Sequence, residues 1–425
     1  MKVGIYTLGC KVNTYESEYV ASLFREKGYT ISSFDDICDV YIINTCTVTN
    51  QSDVKSRKII HQAIRKNKDA CTVAMGCYIE ANKEIELDGV DILVGNKDKS
   101  KVVELVEQYF KTREEIRNLY QDLGTEFEDM EITKTEGRAR AFVKIQDGCE
   151  NFCSYCIIPF VRGKCRSKKE EKVLEEIKTL VKNGYQEIVL TGIHTGNYGV
   201  DLNTDFASLL EKIVSIDGLY RIRISSIEIT ELNDRVLDIL KNNKIIASHL
   251  HIPLQSGSEE ILKLMNRKYN KDYYRKKIET IREIRPDISI TTDVIVGFPM
   301  ETEELFQESY EFCKEMNFSK IHVFPYSIRS GTAASKFKNQ VDGNIKKERA
   351  KQLIELSNKL EEKYMSEHLN KQLEVLIEQN KDGFSYGHTS NYLSIKIPGE
   401  YQSEEIKTIN ISKIEYPYCI GEIIE

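Results

Sequence analysis

The sequence predicts an α/β protein in three parts: an amino-terminal doubly wound α/β domain, a central partial (β/α)6 barrel and a small carboxyl-terminal β-barrel. Short apolar runs alternate with helical patterns over residues 1–110 and again over residues 141–326, which is typical of strands connected by helices. Residues 371–425 change to the alternating pattern of β-strands. A chain of 425 residues is long enough for two or three separate cores.

The composition favours a soluble globular protein in a reducing compartment. Hydrophobic residues make up 40% of the chain, but no apolar run approaches the roughly 20 residues that span a bilayer. The first six residues resemble a strand more than a secretory signal, so we expect a cytoplasmic protein with no membrane partner. Eleven cysteines, an odd number, then favour metal or redox chemistry over disulfides. The net charge of -7 argues against nonspecific coating of nucleic acid.

The amino-terminal domain is expected over residues 1–112. Its predicted strands are residues 2–8, 39–44, 71–75 and 90–94. In the first helix, Asn13 resembles a capping residue and Glu16 is expected to reach back to it, while Gly28 ends the helix.

Three cysteines directly follow strands of this domain, namely Cys10, Cys46 and Cys77. The carboxyl edge of an open α/β sheet is where ligands bind, because successive strand ends converge there. These thiols could therefore meet in a metal site. The alternative is that they are small residues in tight turns, and the pattern alone leaves both interpretations open.

Residues 113–137 are charged and weakly patterned, and we interpret them as a linker with some helix. The barrel is expected over residues 138–345, with strands that begin near residues 141, 187, 220, 249, 289 and 320. Helices are expected at residues 170–182, 206–215 and 301–315. A barrel of parallel strands carries its active site at the carboxyl ends of the strands.

A run with three thiols, Cys149, Cys153 and Cys156, follows the first barrel strand. Three soft ligands in one loop can hold three corners of a cubane iron-sulfur cluster and leave the fourth iron open to a small molecule. A zinc knuckle and buried structural thiols are the alternatives. Structural zinc sites usually have four ligands in two separated pairs, and no matching pair follows here.

Polar side chains and backbone-permissive Gly or Pro residues follow the other barrel strands. Such loops can bind an adenosine-bearing ligand through backbone groups and a carboxylate on ribose hydroxyls. Singly, Glu228 or Gln255 is more often structural. The candidate cofactor-binding residues are Tyr155, Gly192, Ser226, Glu228, Gln255 and Asp293.

The carboxyl-terminal part begins with a connecting helix over residues 346–370, and a β-barrel of the size that binds oligonucleotides follows over residues 371–425. Residues 365–425 contain five lysines, no arginine and ten carboxylates, so charge alone would not make this part an RNA clamp. Its aromatic residues are candidates for base stacking, namely Phe384, Tyr386, Tyr392 and Tyr401.

Basic residues cluster in two places, around residues 55–65 and 162–169. Such runs are usually solvated faces. The second begins within six residues of Cys156, so Arg162, Lys164 and Arg166 are candidates for phosphate contacts near the site.

The spacing of Cys149, Cys153 and Cys156 resembles that of radical S-adenosylmethionine enzymes. The flanking residues 146–149 and 157–167 resemble the methylthiotransferase family. Residues 7–18 are similar to the branch of that family that acts on threonylcarbamoyladenosine in tRNA. After the first cysteine, the ribosomal-protein branch usually has a proline, and the isopentenyladenosine branch usually has glutamine and methionine.

The resemblance covers nearly the whole chain and implies a radical S-adenosylmethionine core and a terminal barrel of the TRAM type. It implies two [4Fe-4S] clusters, an auxiliary one on Cys10, Cys46 and Cys77 and one on the barrel triad that binds S-adenosylmethionine. The other five cysteines match no ligand position and are expected to be structural, namely Cys38, Cys71, Cys165, Cys313 and Cys419.

The implied reaction is radical methylthiolation of carbon 2 of adenine, with S-adenosylmethionine as both methyl donor and radical source. The implied partners are a tRNA anticodon stem-loop that carries threonylcarbamoyladenosine and an electron donor such as flavodoxin or ferredoxin; the resemblance names no sulfur donor. The sequence departs from the family at Thr191-Gly192-Ile193 and at Met300, where glycines are common. The alternatives are another tRNA nucleoside, a ribosomal protein as substrate or, remotely, a non-catalytic iron-sulfur RNA-binding protein.

Overall fold

The amino-terminal part of the computed structural model, which describes residues 1–134 and 139–424, is a six-stranded parallel sheet. In spatial order its strands are Thr30–Ser32, Lys2–Thr7, Val40–Thr45, Cys71–Gly76, Ile92–Val94 and Ile116–Asn118. Helices cover it, namely Lys11–Glu26, Asn50–Lys66, Cys77–Ala81 and Val102–Thr112. Val40–Thr45 and Cys71–Gly76 are buried throughout, as is usual for a parallel sheet covered on both faces. The four predicted strands are confirmed, and two short edge strands were missed.

The predicted linker and the predicted helix cap both need correction. The first residues of the linker form the edge strand Ile116–Asn118, which pairs with Ile92–Val94. The first helix begins after Cys10 rather than at Asn13. The Asn13 amide is buried and donates to the carbonyl oxygens of Leu8 and Thr45, at 2.7 and 3.0 Å. Asn13 therefore connects the first helical turn to the ends of the strands Lys2–Thr7 and Val40–Thr45.

The central part has the six predicted parallel strands, in two sheets of three. They are Arg140–Lys144, Glu187–Thr191, Arg221–Ile224, His249–His251, Ser289–Val296 and Lys320–Pro325. A bridge between Ile222 and Ile246 joins the two sheets, and within the described residues no ladder joins the last strand to the first, so the barrel is open. The helices are Ile158–Arg162, Glu170–Lys182, Phe206–Ile213, Asp234–Asn242, Glu259–Leu264, Lys271–Ile284 and Glu303–Met316. Across the two described ranges, no helix combines the length and apolarity that a membrane crossing needs.

The terminal part is a closed β-barrel, as predicted, and it has five strands. The strands are Gln372–Lys381, Phe384–Thr389, Ser394–Pro398, Ile406–Glu415 and Tyr418–Ile423. The preceding helix, Gly343–Ser366, packs on the central barrel, where the Ile321 backbone donates to Ser357 at 2.9 Å. Arg223 on a central strand donates to the carbonyl oxygens of Thr389 and Ser390, at 3.2 and 3.1 Å. These bonds hold the terminal barrel against the central barrel.

Buried ion pairs join the amino-terminal domain to the central barrel. We call this set the Glu16 network; its members are Glu16, Lys99, Lys144, Asp147, Arg162 and Arg166, and none of them is more than 4% exposed. Glu16 Oε1 lies 2.9 Å from Lys144 Nζ and 2.5 Å from Arg162 Nη1. Asp147 Oδ2 lies 2.7 Å from Lys144 Nζ and 3.1 Å from Arg162 Nη1. The predicted return of Glu16 to a helix cap is therefore wrong.

The charges of this network are strongly coupled. Burial alone would raise the pKa of Glu16, but Arg162, Lys144 and Lys99 hold that pKa well below its usual range. Burial would also raise the pKa of Asp147, which Arg162 and Lys144 likewise lower. Both carboxylates stay ionised because their partners replace the lost water.

We expect Glu16→Gln to destabilise the protein by about 3–5 kcal/mol, because it leaves buried cations without a counter-charge. The measurement is guanidinium unfolding of the full chain. The matched control is Glu26→Gln on the same helix, where the side chain is exposed and the loss is expected to be much smaller. Equal losses for the two variants would contradict the importance of the network.

Candidate active site

Cys10, Cys46 and Cys77 lie at the carboxyl edge of the amino-terminal sheet, one after each of three neighbouring strands. A β-carbon placed on Gly9 would lie 3.0 Å from the β-carbon of Cys46, so the loops that carry Cys10 and Cys46 touch. Burial raises the pKa of the Cys46 thiol, and the neighbouring thiols of Cys77 and Cys10 raise it as well. The structure thus brings the three thiols together.

Cys149, Cys153 and Cys156 lie in a loop held by backbone hydrogen bonds. The amide of Cys149 donates to Gly163 at 3.0 Å, and that of Ser154 donates to Met265 at 3.0 Å. Gly148 has a φ of +77°, and a β-carbon there would lie 1.8 Å from the Lys164 carbonyl oxygen, so only glycine fits. This tight approach fixes where Cys149 leaves the strand.

Two side chains approach the sulfur atoms of this loop. Arg267 Nη1 donates to Cys153 Sγ at 3.3 Å, and His194 Nδ1 lies 3.9 Å from Cys149 Sγ. Arg267 also pairs with Glu228. Such bonds stabilise thiolates, which are the form that binds iron.

The two triads are neighbours across the domain boundary. Cys77 packs against Ile157 and Val161, and Ile157 directly follows Cys156. The Asn96 side-chain amide donates both to Cys77 Sγ, at 3.5 Å, and to the Val161 carbonyl oxygen, at 2.7 Å. The auxiliary triad therefore faces the barrel triad rather than the far side of the sheet.

Neither cysteine triad, within the two described ranges, is as compact as three ligands of one metal ion. At a limit of 4.8 Å between ligand atoms, one group of three is found, that of His251, Asp293 and His322. In a cubane each thiolate binds a different iron, so the sulfur atoms lie further apart than ligands of one ion.

The charge beside the auxiliary triad also fits a cluster. The Glu16 network has four cations and two carboxylates, which leaves positive charge in a buried place. Arg162 lies near the triad: burial raises the pKa of the Cys10 thiol, whereas Arg162 lowers it. Three thiolates on a cubane carry net negative charge, and buried cations would compensate it.

A cavity of about 550 Å³ lies where the three parts of the chain meet. Its walls include Cys10 and Lys11 from the amino-terminal domain and Tyr392 from the terminal barrel. Of the predicted cofactor-binding residues, Gly192, Ser226 and Asp293 line it.

The other three cofactor-binding candidates lie elsewhere. Glu228 is beside Arg267 and Cys153 and also caps the short turn Ile229–Glu231. Tyr155 packs against Ile261, Met265 and Phe298. The Gln255 amide donates to the Asp293 carbonyl oxygen at 2.8 Å, with a φ of +66°. Their assignment to S-adenosylmethionine stays a prediction.

Met300 departs from the glycine that is common at this position, and its backbone has a φ of +71°. This left-handed conformation favours glycine. The Met300 amide donates to the Asn339 carbonyl oxygen at 2.9 Å, which holds the residue there. Met300 therefore adopts a backbone conformation that a glycine would adopt more easily.

The structure contradicts the predicted RNA contacts of Arg162 and Arg166. Arg162 is 0% exposed and Arg166 is 4% exposed, and both side chains point into the Glu16 network. Lys164 is exposed, and its contact with an RNA phosphate stays a prediction. Arg162, Arg166 and Lys168 of this basic run face inward because they neutralise buried carboxylates.

Sequence reasoning missed Lys11, Arg267 and the group formed by His251, Asp293 and His322. Lys11 could have been found, because it directly follows Cys10. Arg267 lies 111 residues after Cys156 in a loop, and no motif marks it.

Comparisons with known proteins identify the relatives of this chain. Residues 143–313 match the family model described as the Radical SAM superfamily, and residues 2–95 match one described as an uncharacterised protein family, UPF0004. Threonylcarbamoyladenosine tRNA methylthiotransferase MtaB of Bacillus subtilis is 43% identical over 99% of this chain and 96% of its own length. The chain belongs to the radical S-adenosylmethionine methylthiotransferase family. Membership implies [4Fe-4S] clusters and S-adenosylmethionine as cofactors.

The chain is also similar to a relative with another printed substrate and to a solved structure. The tRNA-2-methylthio-N(6)-dimethylallyladenosine synthase of Carboxydothermus hydrogenoformans is 36% identical over 83% of this chain and 82% of its own length. The solved structure of the radical S-adenosylmethionine methyltransferase TsrM from Kitasatospora setae has a TM-score of 0.58 at 14% identity. That match covers 76% of this chain and 72% of that chain, and it supports the fold alone.

For this methylthiotransferase, we expect about eight irons per chain after anaerobic reconstitution, and about four in Cys77→Ala, because one cubane loses a ligand. Cys71→Ala is the matched control: Cys71 begins the strand that Cys77 follows, and this variant should keep about eight irons. Iron and sulfide analysis measures both. If Cys77→Ala kept its full iron content, Cys77 would not be a ligand.

Proposed function

We propose that the protein is a tRNA methylthiotransferase that replaces the hydrogen on carbon 2 of N6-threonylcarbamoyladenosine, beside the anticodon, with a methylthio group. The observation that carries this proposal is that two cysteine triads from different domains are neighbours, through the packing of Cys77 against Ile157, and that Cys10 also lines the cavity. The threonylcarbamoyladenosine specificity is supported by the 43% identity with a curated relative of that name.

In this proposal, Cys149, Cys153 and Cys156 hold the cluster that binds S-adenosylmethionine, and Cys10, Cys46 and Cys77 hold the auxiliary cluster. These groups supply one-electron cleavage chemistry and the methylated sulfur. The side chains of the protein bind the substrate, orient the cysteine ligands and shield the site from water. Arg267 orients Cys153 through its bond to the sulfur atom, and Asn96 links Cys77 to the barrel helix that carries Val161.

The cavity suits a single modified nucleoside. A volume of about 550 Å³ lies within the usual range for small-molecule sites. A base can enter only if it is unpaired, and an anticodon loop presents such bases. Radical chemistry needs protection from water, and the three parts of the chain that line the cavity would shield a bound base from solvent.

The terminal barrel, in this proposal, closes the cavity rather than stacking on RNA bases with Tyr392. The Tyr392 ring stacks on His249 and His388, with centroids 4.6 and 4.8 Å apart. The Arg223 guanidinium lies 4.6 Å from the same ring centroid. Because of these contacts, the faces of the Tyr392 ring are not free to stack on a base. Lys164, at the surface, is a candidate for contact with an RNA phosphate.

We further propose that the protein acts in the cytoplasm, where its tRNA substrate is found, and that flavodoxin or ferredoxin supplies the electrons. The partial exposure of Cys149, Cys153 and Cys156 supports electron entry at the barrel triad from a small partner.

Nucleoside mass spectrometry of a strain that lacks the gene tests the proposed function. We expect 2-methylthio-threonylcarbamoyladenosine to disappear and threonylcarbamoyladenosine to accumulate. The wild-type gene should restore the product and Cys153→Ala should not. Cys313→Ala, a buried thiol away from both triads, is the control and should restore it. An unchanged level of the methylthio nucleoside in the deletion strain would contradict the proposal.

A further inference from the structure

Lys11 lines the cavity beside Cys10, at the start of the first helix. Its side chain is only partly exposed. Within residues 1–134 and 139–424, no hydrogen bond or ion pair to its ammonium group is found. A partly buried ammonium group without a partner loses hydration and gains nothing in return. Such a group is suited to an anion that arrives with a ligand.

The neighbouring cations already have partners. Arg223 Nε donates to Glu187 Oε1 at 2.8 Å, and Arg140 Nη2 donates to Glu378 Oε2 at 3.1 Å. Lys320, which also lines the cavity, donates to Glu361 at 2.8 Å. Of the two lysines that line the cavity in the described part of the chain, Lys11 is therefore the one without a carboxylate partner, and its charge is available to a ligand.

We propose that Lys11 binds the carboxylate of the threonyl group on the substrate and so selects threonylcarbamoyladenosine over adenosines with an uncharged N6 substituent. This inference rests on the proposed function and assigns a specificity-determining residue to it. A charge-assisted hydrogen bond from an ammonium group to a carboxylate is among the stronger polar contacts in proteins.

The position of Lys11 agrees with the chemistry of the substrate. In adenine, N1 lies between carbon 2 and the carbon that bears N6, so the substituent on N6 and the reacting carbon share one edge of the ring. A residue that binds this substituent must therefore lie close to the auxiliary cluster, which would deliver the sulfur to carbon 2. Lys11 is adjacent in sequence to Cys10, a candidate ligand of the auxiliary cluster.

The test compares binding of synthetic anticodon stem-loops to the anaerobically reconstituted full chain, by fluorescence anisotropy at one salt concentration. One stem-loop carries threonylcarbamoyladenosine, one carries its carboxamide, and one carries unmodified adenosine. We expect the wild-type protein to bind the carboxylate stem-loop roughly 10-fold more tightly than the carboxamide, as for a hydrogen bond between charged groups.

Lys11→Gln should reduce this preference to less than about 2-fold and leave binding of the unmodified stem-loop unchanged. Lys11→Arg should keep a preference for the carboxylate. Lys320→Gln makes the same change at a cavity lysine that is already paired with Glu361 and should keep the wild-type preference. The iron content of Lys11→Gln should equal that of the wild type, which separates substrate binding from loss of the neighbouring cluster.

A wild-type preference that survives in Lys11→Gln would overturn the inference. Equal weakening of all three stem-loops would also overturn it, because Lys11 would then contact an RNA phosphate. Product analysis with the wild-type protein keeps the two proposals apart. If no methylthio product forms, the proposed function fails; if it forms while Lys11→Gln retains the preference, only the role of Lys11 fails.

Discussion

The buried pairing of Glu16 with Lys99, Lys144 and Arg162 joins the first helix of the amino-terminal domain to the beginning of the barrel. Cys10 lies just before that helix and Cys149 lies shortly after Lys144, so the network fixes the relative positions of the two cysteine triads. Charges removed from water are costly unless their partners are held in good geometry. The domains therefore have little freedom to slide past each other while the carboxylates stay ionised, and the cavity depends on that restraint.

The excess of cations in this network has a second consequence. A thiolate-bound cubane would bring negative charge into the same buried region, so the protein and the cluster are complementary in charge. The same logic extends outward to Lys11, which is the next cation along the helix from Cys10 and faces the cavity instead of the network. In this account, Cys10 binds the auxiliary cluster and its neighbour Lys11 selects the substrate, both at the beginning of the first helix.

Much of the fold and of the candidate site could be predicted from the sequence, because local patterns determine both. The six barrel strands and the long buried strands of the amino-terminal sheet are marked by apolar runs, and the cysteine spacing marks the triads. What could not be predicted depends on contacts between distant residues. Arg162 and Arg166 resemble surface cations until their partners Glu16 and Asp147 are known. Asn13 resembles a helix cap but bonds to two strand ends. The edge strands Thr30–Ser32 and Ile116–Asn118 are three residues long, too short for a reliable pattern.

The central claim is that two iron clusters, one from each domain, border the cavity that Lys11 lines. Iron anomalous diffraction from crystals of the anaerobically reconstituted protein tests it most directly. The account predicts two separate iron peaks, one bound by Cys10, Cys46 and Cys77 and the other by Cys149, Cys153 and Cys156, both beside that cavity. A single peak, or a second peak that is bound by other residues or lies away from the cavity, would contradict it.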